Sequence, residues 1–537
     1  MAVNSAEEEF LCAPSTQQYE LVNRNASIYS PLDTFRLPPG QDRQYQQQYG
    51  DMYFLRLAKL KPAVEAVARE SWEGFTIAGE YARRVERVLD VRQGELCWVA
   101  GTIYMAMPLK PNVLEDLTKE NFTLAPIPPR TYIDPSKPES TEIMLEDESG
   151  RLRLTGSKLR SVQLATGVII AVLGTENANG DFEAVDIKVP DLAPQPQRWM
   201  RDEAPSDTKK GKIALVSGLG ITGTSSDSLA LELLADYLLG YTGLPSGDSA
   251  IPDSSGITRL IVAGNSLGAS IIEPAPALAK GATGKKIAQQ KKYGYDASAY
   301  NASPITQLDS FLAELLPSIP VTLMPGESDP ANFALPQQPI HRAMFPRARA
   351  YCAAQSAGEE KPEPGWFDSV TNPWEGDVEG WRLWGSSGQN VDDVLRYLDF
   401  ADEDGNIDTD GDVEARVRIM EAMLRWRCGV PTAPDTIWSY PFQTDDPFVI
   451  QACPHLFFAG NQPRFKTAII EGDSPLKLGE DTEMGGTESD QDAPLPTVRL
   501  LSIPKFRETG ELVLVDTETL EVEVVKFGAF VGQEDKQ

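Results

Sequence analysis

The spacing of apolar residues predicts one long helix near the beginning of the chain. Between Asp51 and Trp72, hydrophobic side chains recur at steps of three and four residues, as one buried face of a helix requires. These positions are Tyr53, Leu57, Leu60, Val64, Val67 and Ala68. Pro62 lies inside the run and predicts a break or kink, because proline donates no backbone hydrogen bond. Residues 1–45 have weak periodicity and many Gln, Pro and Tyr residues, which predicts an extended, partly ordered arm.

Five short runs that are typical of β-strands follow the helix. They are Leu96 to Met105, Ile143 to Leu145, Arg151 to Leu154, Val162 to Leu173 and Phe182 to Val189. Turn signals such as Glu148-Ser149-Gly150 separate several of them. Five short strands in about a hundred residues suit a small closed barrel, for which the oligonucleotide/oligosaccharide-binding (OB) fold is the five-stranded candidate. We therefore predict an OB-type domain over residues 46–195, ending at the proline-rich stretch Pro190 to Pro196.

From Lys212 onwards, predicted strands alternate with predicted helices. The strands are Ile213 to Ser217, Leu260 to Val262, Val321 to Leu323, Leu456 to Phe458, Val498 to Ile503, Glu511 to Val515 and Glu521 to Phe527. The helices lie near Ser225 to Leu239, Lys280 to Lys291 and Ile305 to Leu316. Such alternation builds a sheet covered by helices. We predict a two-sheet α/β sandwich over residues 205–537, with mobile acidic loops near residues 400–414 and 471–493.

Composition and charge restrict the possible functions. The chain has 79 acidic against 49 basic residues, a formal charge of -30, which repels phosphate backbones, so we expect little direct DNA contact. Its five cysteines are scattered without a CxxC pair, which predicts neither a disulfide framework nor a zinc knuckle. The start lacks signal-peptide character and no apolar stretch would span a bilayer. We expect no membrane contact and a cytosolic or nuclear location.

Candidate chemistry lies in four glycine-centred turns that directly follow predicted strands. They are Ser217-Gly218-Leu219-Gly220, Ala263-Gly264-Asn265-Ser266-Leu267-Gly268, Pro325-Gly326-Glu327-Ser328-Asp329-Pro330 and Ala459-Gly460-Asn461-Gln462-Pro463. Strand ends of this kind are where active sites form in α/β sheets. Taken alone, the turns favour the simpler interpretation, that they are tight strand-to-loop connections in which glycine supplies a positive φ angle.

The order and spacing of the turns resemble those of the calcineurin-like metallophosphoesterases, which hold two metals with D-x-H, G-D-x-x-D, G-N-H-[DE] and G-H-x-H motifs. The resemblance is in the frame and not in the ligands. The corresponding positions are Gly218, Gly220, Asn265, Gly268, Glu327, Ser328, Asp329, Asn461 and Pro463. Among these, Asp329 alone keeps an expected residue. The resemblance implies an inactive phosphoesterase with no catalytic residue, no bound metal and no cofactor.

The scarcity of histidine supports the same expectation. A two-metal hydrolase gathers imidazoles and bridging carboxylates around ions about 3.5 to 4 Å apart. The chain has two histidines, His341 and His455, which lack the spacing of a metal-binding pair. Catalysis by a two-metal route is therefore not expected.

Longer strings resemble the small B-subunits of replicative DNA polymerases, the delta type in particular. They are Met324 to Asn332, Leu335 to His341, Thr371 to Pro373, Gly385 to Val391, Leu145 to Leu154 and Gly167 to Asp191. The resemblance covers roughly residues 45 to 535. It implies a nuclear, non-catalytic scaffold that binds the cysteine-rich C-terminal region of the polymerase catalytic subunit and an accessory subunit, which links it indirectly to the sliding clamp.

Three alternatives remain open from the sequence. The chain could be an active metal-dependent phosphoesterase, the B-subunit of another replicative polymerase, or a single-strand-binding OB protein. The lost ligand positions argue against the first and the acidic charge argues against the third. Only the longer strings distinguish the delta type from the second.

Overall fold

The computed structural model describes most of the chain, in several ranges. These are residues 24, 27–40, 42–43, 50–77, 79–111, 130–134, 136–198, 211–224, 228–241, 253–268, 301–353, 363–398, 409–472 and 495–528. No helix in these ranges combines the length and apolar character that crossing a bilayer requires. The helix predicted near Lys280 to Lys291 lies outside the described residues, as do residues 399–408 and 473–494 of the two acidic loops.

The first part of the chain forms a closed barrel. Before it come β1 (Tyr29–Pro31), β2 (Thr76–Ile77), β3 (Glu80–Tyr81) and β4 (Arg83–Arg84). The barrel strands are β5 (Leu96–Ala106), β6 (Glu142–Glu146), β7 (Arg151–Thr155), β8 (Ile169–Glu176) and β9 (Phe182–Lys188). They join in the order β5, β6, β7, β9, β8, and β8 pairs back onto β5. The predicted five-stranded barrel is confirmed.

One predicted strand starts later than expected. The sequence predicts a strand from Val162, but β8 begins at Ile169. A turn precedes it, in which Val168 N donates to Ala165 O and Gly167 has a φ of 90°. Glycine adopts that left-handed conformation without strain, so the chain can reverse direction there before the strand begins.

Helix α1 (Gly50–Trp72) packs on the outside of the barrel. Leu57, Leu60 and Val64 lie in one apolar cluster with Trp98 of β5 and Leu173 of β8. The predicted break at Pro62 is wrong, because the helix runs on through this residue. Because Pro62 has no amide hydrogen, the carbonyl of Ala58 lacks its usual helical hydrogen bond. Both residues are exposed, so water can hydrate that carbonyl.

Two six-stranded sheets form the second part of the chain. The first has the order β13, β12, β11, β10, β19, β20, and the second has the order β1, β14, β15, β16, β18, β17. Their strands are β10 (Lys212–Val216), β11 (Ile257–Ala263), β12 (Val321–Met324), β13 (Phe367–Ser369), β14 (Trp374–Val378), β15 (Trp381–Ser386), β16 (Leu456–Gln462), β17 (Lys466–Glu471), β18 (Thr497–Pro504), β19 (Glu511–Asp516) and β20 (Val522–Lys526).

The two sheets face each other and helices cover their outer sides. The buried cluster between them contains Ile213, Leu215 and Ile261 of the first sheet and Leu383, Phe458 and Leu501 of the second. The helices are α2 (Ser228–Leu239), α3 (Ser303–Leu315), α4 (Gln389–Leu395), α5 (Thr409–Arg425) and the short α6 (Phe506–Thr509). Helices α2 and α3 pack on the first sheet, and α4 and α5 pack on the second.

The barrel and the sandwich share one apolar core. Val99 and Ile103 of β5 belong to the same buried cluster as Trp384 of β15 and Met420 of α5. The connecting stretch 190–198 is held at this junction, where Cys453 N donates to Pro194 O at 2.9 Å. Burial of apolar surface between the two parts therefore joins them into one unit.

Helix α5 corrects the predicted acidic loop near residues 400–414. The helix begins at Thr409, so residues 409–414 are helical and not a mobile loop. Acidic side chains near the start of a helix, such as Asp412 here, stabilise it by interacting with the positive end of the helix dipole. Val413, Val417 and Met420 are buried, and their three- and four-residue spacing gives the helix an apolar face against the second sheet.

Candidate functional site at the strand ends

The four glycine-centred turns meet at one edge of the sandwich. Strands β10, β11 and β12 are parallel, so their carboxyl ends lie side by side. Gly218 N donates to Gly264 O at 2.9 Å, and Gly220 N donates to Asn265 O at 3.1 Å. The pairing of β10 with β11 thus continues into the first two turns. The turns that the sequence places directly after strands therefore lie side by side.

Close backbone contacts explain the glycines in these turns. Gly218 has a φ of 61°, and a Cβ atom there would lie 2.8 Å from Asn461 Oδ1. A Cβ atom at Gly268 would lie 2.6 Å from Gly220 O, because Gly268 N donates to Ile221 O across the same gap. Any larger side chain, including a carboxylate or an imidazole, would require the turns to move apart.

Asp329 lies beneath the turns and fastens two of them together. Only 6% of its surface is exposed. Its Oδ1 accepts from Leu267 N at 2.9 Å, and its Oδ2 accepts from Gly326 N at 2.9 Å and Ser266 N at 3.2 Å. Burial raises the pKa of Asp329 to about 6, although the backbone amides favour the charged form. Both carboxylate oxygens are therefore engaged by the fold itself.

The neighbouring positions of the third turn differ in exposure and bonding. Glu327 points to solvent and is exposed. Ser328 N donates to Asn265 Oδ1 at 3.2 Å, and the Ser328 hydroxyl donates to Leu267 O. Asn265 adopts a φ of 52°, a conformation that asparagine tolerates better than most residues. Its side chain links the second and third turns.

Asn461 ties the last turn to the centre of the site. Its backbone amide donates to Ser217 Oγ at 2.8 Å, and its Nδ2 donates to Ser387 O at 2.9 Å and Ala263 O at 3.3 Å. Asn461 Oδ1 is buried and has no hydrogen-bond partner among the described residues. Pro463, the other predicted position of this turn, is half-buried beyond the end of β16.

A polar network that the motifs did not assign borders the turns. Asn372 Nδ2 lies 2.8 Å from Gln337 Oε1, Ser387 Oγ and Gln389 Oε1, and Ser387 N donates back to Asn372 Oδ1 at 2.9 Å. Gln337 Nε2 donates to Gly326 O at 3.1 Å. The strings around these residues are among those that carried the resemblance, and they meet in space as supports of the turns.

The two histidines lie apart from a metal-binding arrangement. His341 is exposed, and its Nδ1 accepts from Ala343 N. His455 is buried, and its Nδ1 accepts from Arg382 N at 3.0 Å. Burial, together with the charge of Arg382, lowers the pKa of His455 to about 4. Within the described ranges, no group of three or more His, Cys, Asp or Glu residues is arranged to hold a metal.

Similarity to known proteins covers both parts of the chain. A family profile described as DNA polymerase delta subunit OB-fold domain matches residues 48–187, and the profile of the DNA polymerase alpha/epsilon B-subunit matches residues 213–467. The DNA polymerase delta small subunit of Saccharomyces cerevisiae is 33% identical over 538 residues, which cover 97% of each chain. The chain belongs to the DNA polymerase delta small subunit family. DNA polymerase delta subunit 2 of Drosophila melanogaster is 33% identical over 510 residues, covering 94% of this chain and 99% of that one.

Membership in this family confirms two predictions. The delta small subunit is the type that the longer strings indicated. The OB-fold profile over residues 48–187 spans α1 and strands β5 to β9, so the barrel is the predicted OB domain. The family's second profile covers the turns after β10, β11, β12 and β16.

Proposed function

We propose that this chain is the non-catalytic regulatory subunit of DNA polymerase delta, a scaffold that joins the catalytic subunit to an accessory subunit. Relatives named as small subunits of this polymerase match almost the whole chain, among them that of Oryza sativa subsp. japonica at 32% identity over 94% of this chain and 99% of that one. The proposal places the protein in the nucleus, where DNA replication and repair take place.

The proposal treats residues 205–537 as a metallophosphoesterase-type sandwich that has lost its metals. The observation that carries it is the bonding of Asp329, whose two oxygens are taken by three backbone amides. Three of the roughly four acceptor positions of the carboxylate are thus occupied by the backbone, which leaves Asp329 little capacity to bind a metal. Close packing at Gly218 and Gly268 leaves no room for further ligand side chains. The turns thus serve as rigid supports.

The OB domain, proposed for residues 46–195, has a structural role in this scheme. OB folds bind single strands with basic grooves and exposed aromatic residues. On the face formed by β6 and β7, Arg151 pairs with Glu146 at 2.9 Å and Arg153 with Glu142 at 3.5 Å. Because carboxylates of the same face neutralise these arginines, it offers phosphate little net attraction. Direct DNA contact is minor in this proposal.

The proposed partners are proteins. They are the cysteine-rich C-terminal region of the polymerase catalytic subunit and an accessory subunit that provides the indirect link to the sliding clamp. An acidic chain of formal charge -30 suits basic protein surfaces better than it suits nucleic acid. Residues 1–45 form the proposed N-terminal arm, whose β1 strand pairs with β14.

Co-purification tests the scaffold role. The native complex is isolated through a tag on this chain, its proteins are identified by mass spectrometry, and its metals are measured. We expect the delta catalytic subunit in stoichiometric amount and no metal on this chain. Recovery of the catalytic subunit of a different polymerase would instead indicate that the chain serves that polymerase, and two metals without a polymerase would indicate an active phosphoesterase.

A phosphatase assay separates the enzyme alternative further. The purified chain and its Asp329→Ala variant are assayed on a phosphoester with added Mn²⁺. We expect no turnover from either protein. Manganese-dependent hydrolysis that is lost in the variant would overturn the non-catalytic proposal.

A further inference from the structure

The open edges of the two sandwich sheets differ in how well they are protected. An exposed edge strand invites pairing with another chain, and proteins guard such edges with short strands, proline or charge. Edge strands β1 and β13 have three residues each, and β1 contains Pro31. Edge strand β20 has five residues and carries Glu523 and Lys526. Each of these three edges has a protective feature.

Strand β17, the fourth edge, has charged residues only at its two ends, Lys466 and Glu471. It is six residues long, and the described residues pair it only with β18. Between Lys466 and Glu471 its side chains are uncharged, and Ile469 is 54% exposed. The Thr467 hydroxyl is buried without a hydrogen-bond partner among the described residues. An apolar edge of this length with an unsatisfied hydroxyl is suited to receive a further strand.

The hairpin geometry identifies the backbone groups that face outward. Gly472 N donates to Pro496 O, towards β18, at the end of the regular β17 and β18 pairing. Backbone groups alternate sides along a strand. Those of Ala468 and Ile470 therefore point to β18, whereas those of Thr467, Ile469 and Glu471 point away from the sheet. Three residues thus present N–H and C=O groups to an incoming strand.

Charge and sequence identify the kind of strand that fits. The chain's own residues 473–494 contain Pro475, three glycines and seven acidic residues, a composition that disfavours a strand. A second copy would bring another chain of formal charge -30 against the first, and the two would repel. A basic segment of a different protein would not be repelled by this acidic chain, and it need not have the strand-disfavouring composition of residues 473–494.

We propose that β17 accepts an extended, basic segment of another subunit of the polymerase assembly, paired edge to edge with an aliphatic side chain beside Ile469. Main-chain hydrogen bonds supply the affinity in this type of recognition, and alternate side chains supply specificity. This inference rests on the proposed function, because it assigns a contact within the complex that the function requires.

Amide hydrogen exchange at single-residue resolution tests the pairing. Exchange is compared for the chain alone, with the catalytic subunit, and with the accessory subunit. In one of the two complexes we expect the amides of Thr467, Ile469 and Glu471 to slow by at least about tenfold, while those of Ala468 and Ile470, already bonded to β18, change little. If neither subunit forms a complex with the chain, the proposed function is refuted. A complex without slowed exchange at the three outward amides would refute the edge pairing alone.

A pair of variants tests the apolar contact. Ile469→Lys places a charge on this edge, and Val524→Lys makes the same change at an exposed position on edge strand β20. We expect Ile469→Lys to weaken the affinity for the subunit that slows exchange at β17 by at least about tenfold. Val524→Lys should leave that affinity unchanged. Both residues are exposed, and equal melting temperatures would show that both variants fold. Equal affinity of the two variants would count against β17 as the contact.

Discussion

A single buried carboxylate holds two of the turns together. Asp329 accepts from Leu267, Gly326 and Ser266, and its pKa is raised to about 6 by burial, so it is mostly charged at pH 7.5. In the variant Asp329→Asn, the amide group would face at least one of these donors. We expect a loss of about 1–3 kcal/mol in unfolding free energy at pH 7.5, measured by urea denaturation.

The pH dependence of that loss follows from the direction of the pKa shift. Because the folded pKa of Asp329 lies above its ordinary value of 3.8, this group's contribution to stability is greatest at low pH and falls as pH rises to about 6. Asparagine does not titrate, so the gap between wild type and Asp329→Asn should widen at pH 5. Glu327→Gln, at an exposed neighbour, should change stability by less than about 0.5 kcal/mol. A gap that does not depend on pH would contradict the assignment.

His455 has the opposite pH behaviour. Burial and the nearby charge of Arg382 lower its pKa to about 4, so the folded protein keeps it neutral while the unfolded chain binds a proton below its ordinary value of 6.5. Stability from this residue is present at neutral pH and is lost as pH falls from 6.5 towards 4. We expect His455→Gln to flatten this part of the stability profile, measured by thermal melts across pH. An unchanged slope in the variant would refute this role.

At the scale of elements, Tyr29 of β1 adds a side-chain contact to the strand pairing that holds this segment on the sandwich. The Tyr29 hydroxyl donates to Asp368 Oδ2 at 2.7 Å, and the Arg259 guanidinium lies 3.9 Å from the centre of the Tyr29 ring. Tyr29→Phe would leave the half-buried Asp368 carboxylate without this donor. We expect a loss of about 1–3 kcal/mol in a denaturant titration. Tyr241→Phe, at a tyrosine that is 77% exposed, should be neutral. Equal stability of both variants would show that the hydroxyl does not fix the arm.

Elements with a strong local pattern could be predicted from the sequence, and elements made by distant contacts could not. The apolar spacing of α1 and the five barrel strands carry their own signals. Strand β1 has three residues and exists because β14, more than 300 positions later in the chain, pairs with it. At the site, the position of each turn directly after a strand could be predicted from local sequence. The burial of Asp329 could not be predicted, because its acceptor role depends on amides 62 and 63 positions away.

At the scale of the whole molecule, a charged side chain lies buried where the barrel meets the sandwich. Sequence patterns do not predict it. Arg56 of α1 lies on the face that packs inward, and it is fully buried. Its Nε donates to Asp446 Oδ2 at 2.8 Å, and its Nη1 donates to Pro431 O at 2.6 Å. Burial alone would lower the pKa of Arg56, but the charge and hydrogen bond of Asp446, together with the influence of Cys428 and Tyr53, outweigh it and the pKa is raised. An arginine in a helix ordinarily indicates a solvent-exposed position. The sequence therefore predicts neither the burial of Arg56 nor its pairing with Asp446.

This buried pair should make the barrel and the sandwich unfold together. Removing one partner leaves an uncompensated charge, at a cost of about 3–5 kcal/mol, whereas replacing both with apolar residues is often neutral. For the wild type we expect a single calorimetric transition. We expect Arg56→Met to lower stability by that amount and to split this transition into two. The double variant Arg56→Met/Asp446→Leu should recover most of the lost stability and the single transition. Arg83→Met breaks an exposed pair with Glu95 and should cost less than about 1 kcal/mol. If the double variant were no better than Arg56→Met, the loss would come from packing of the arginine side chain and not from the charge left on Asp446.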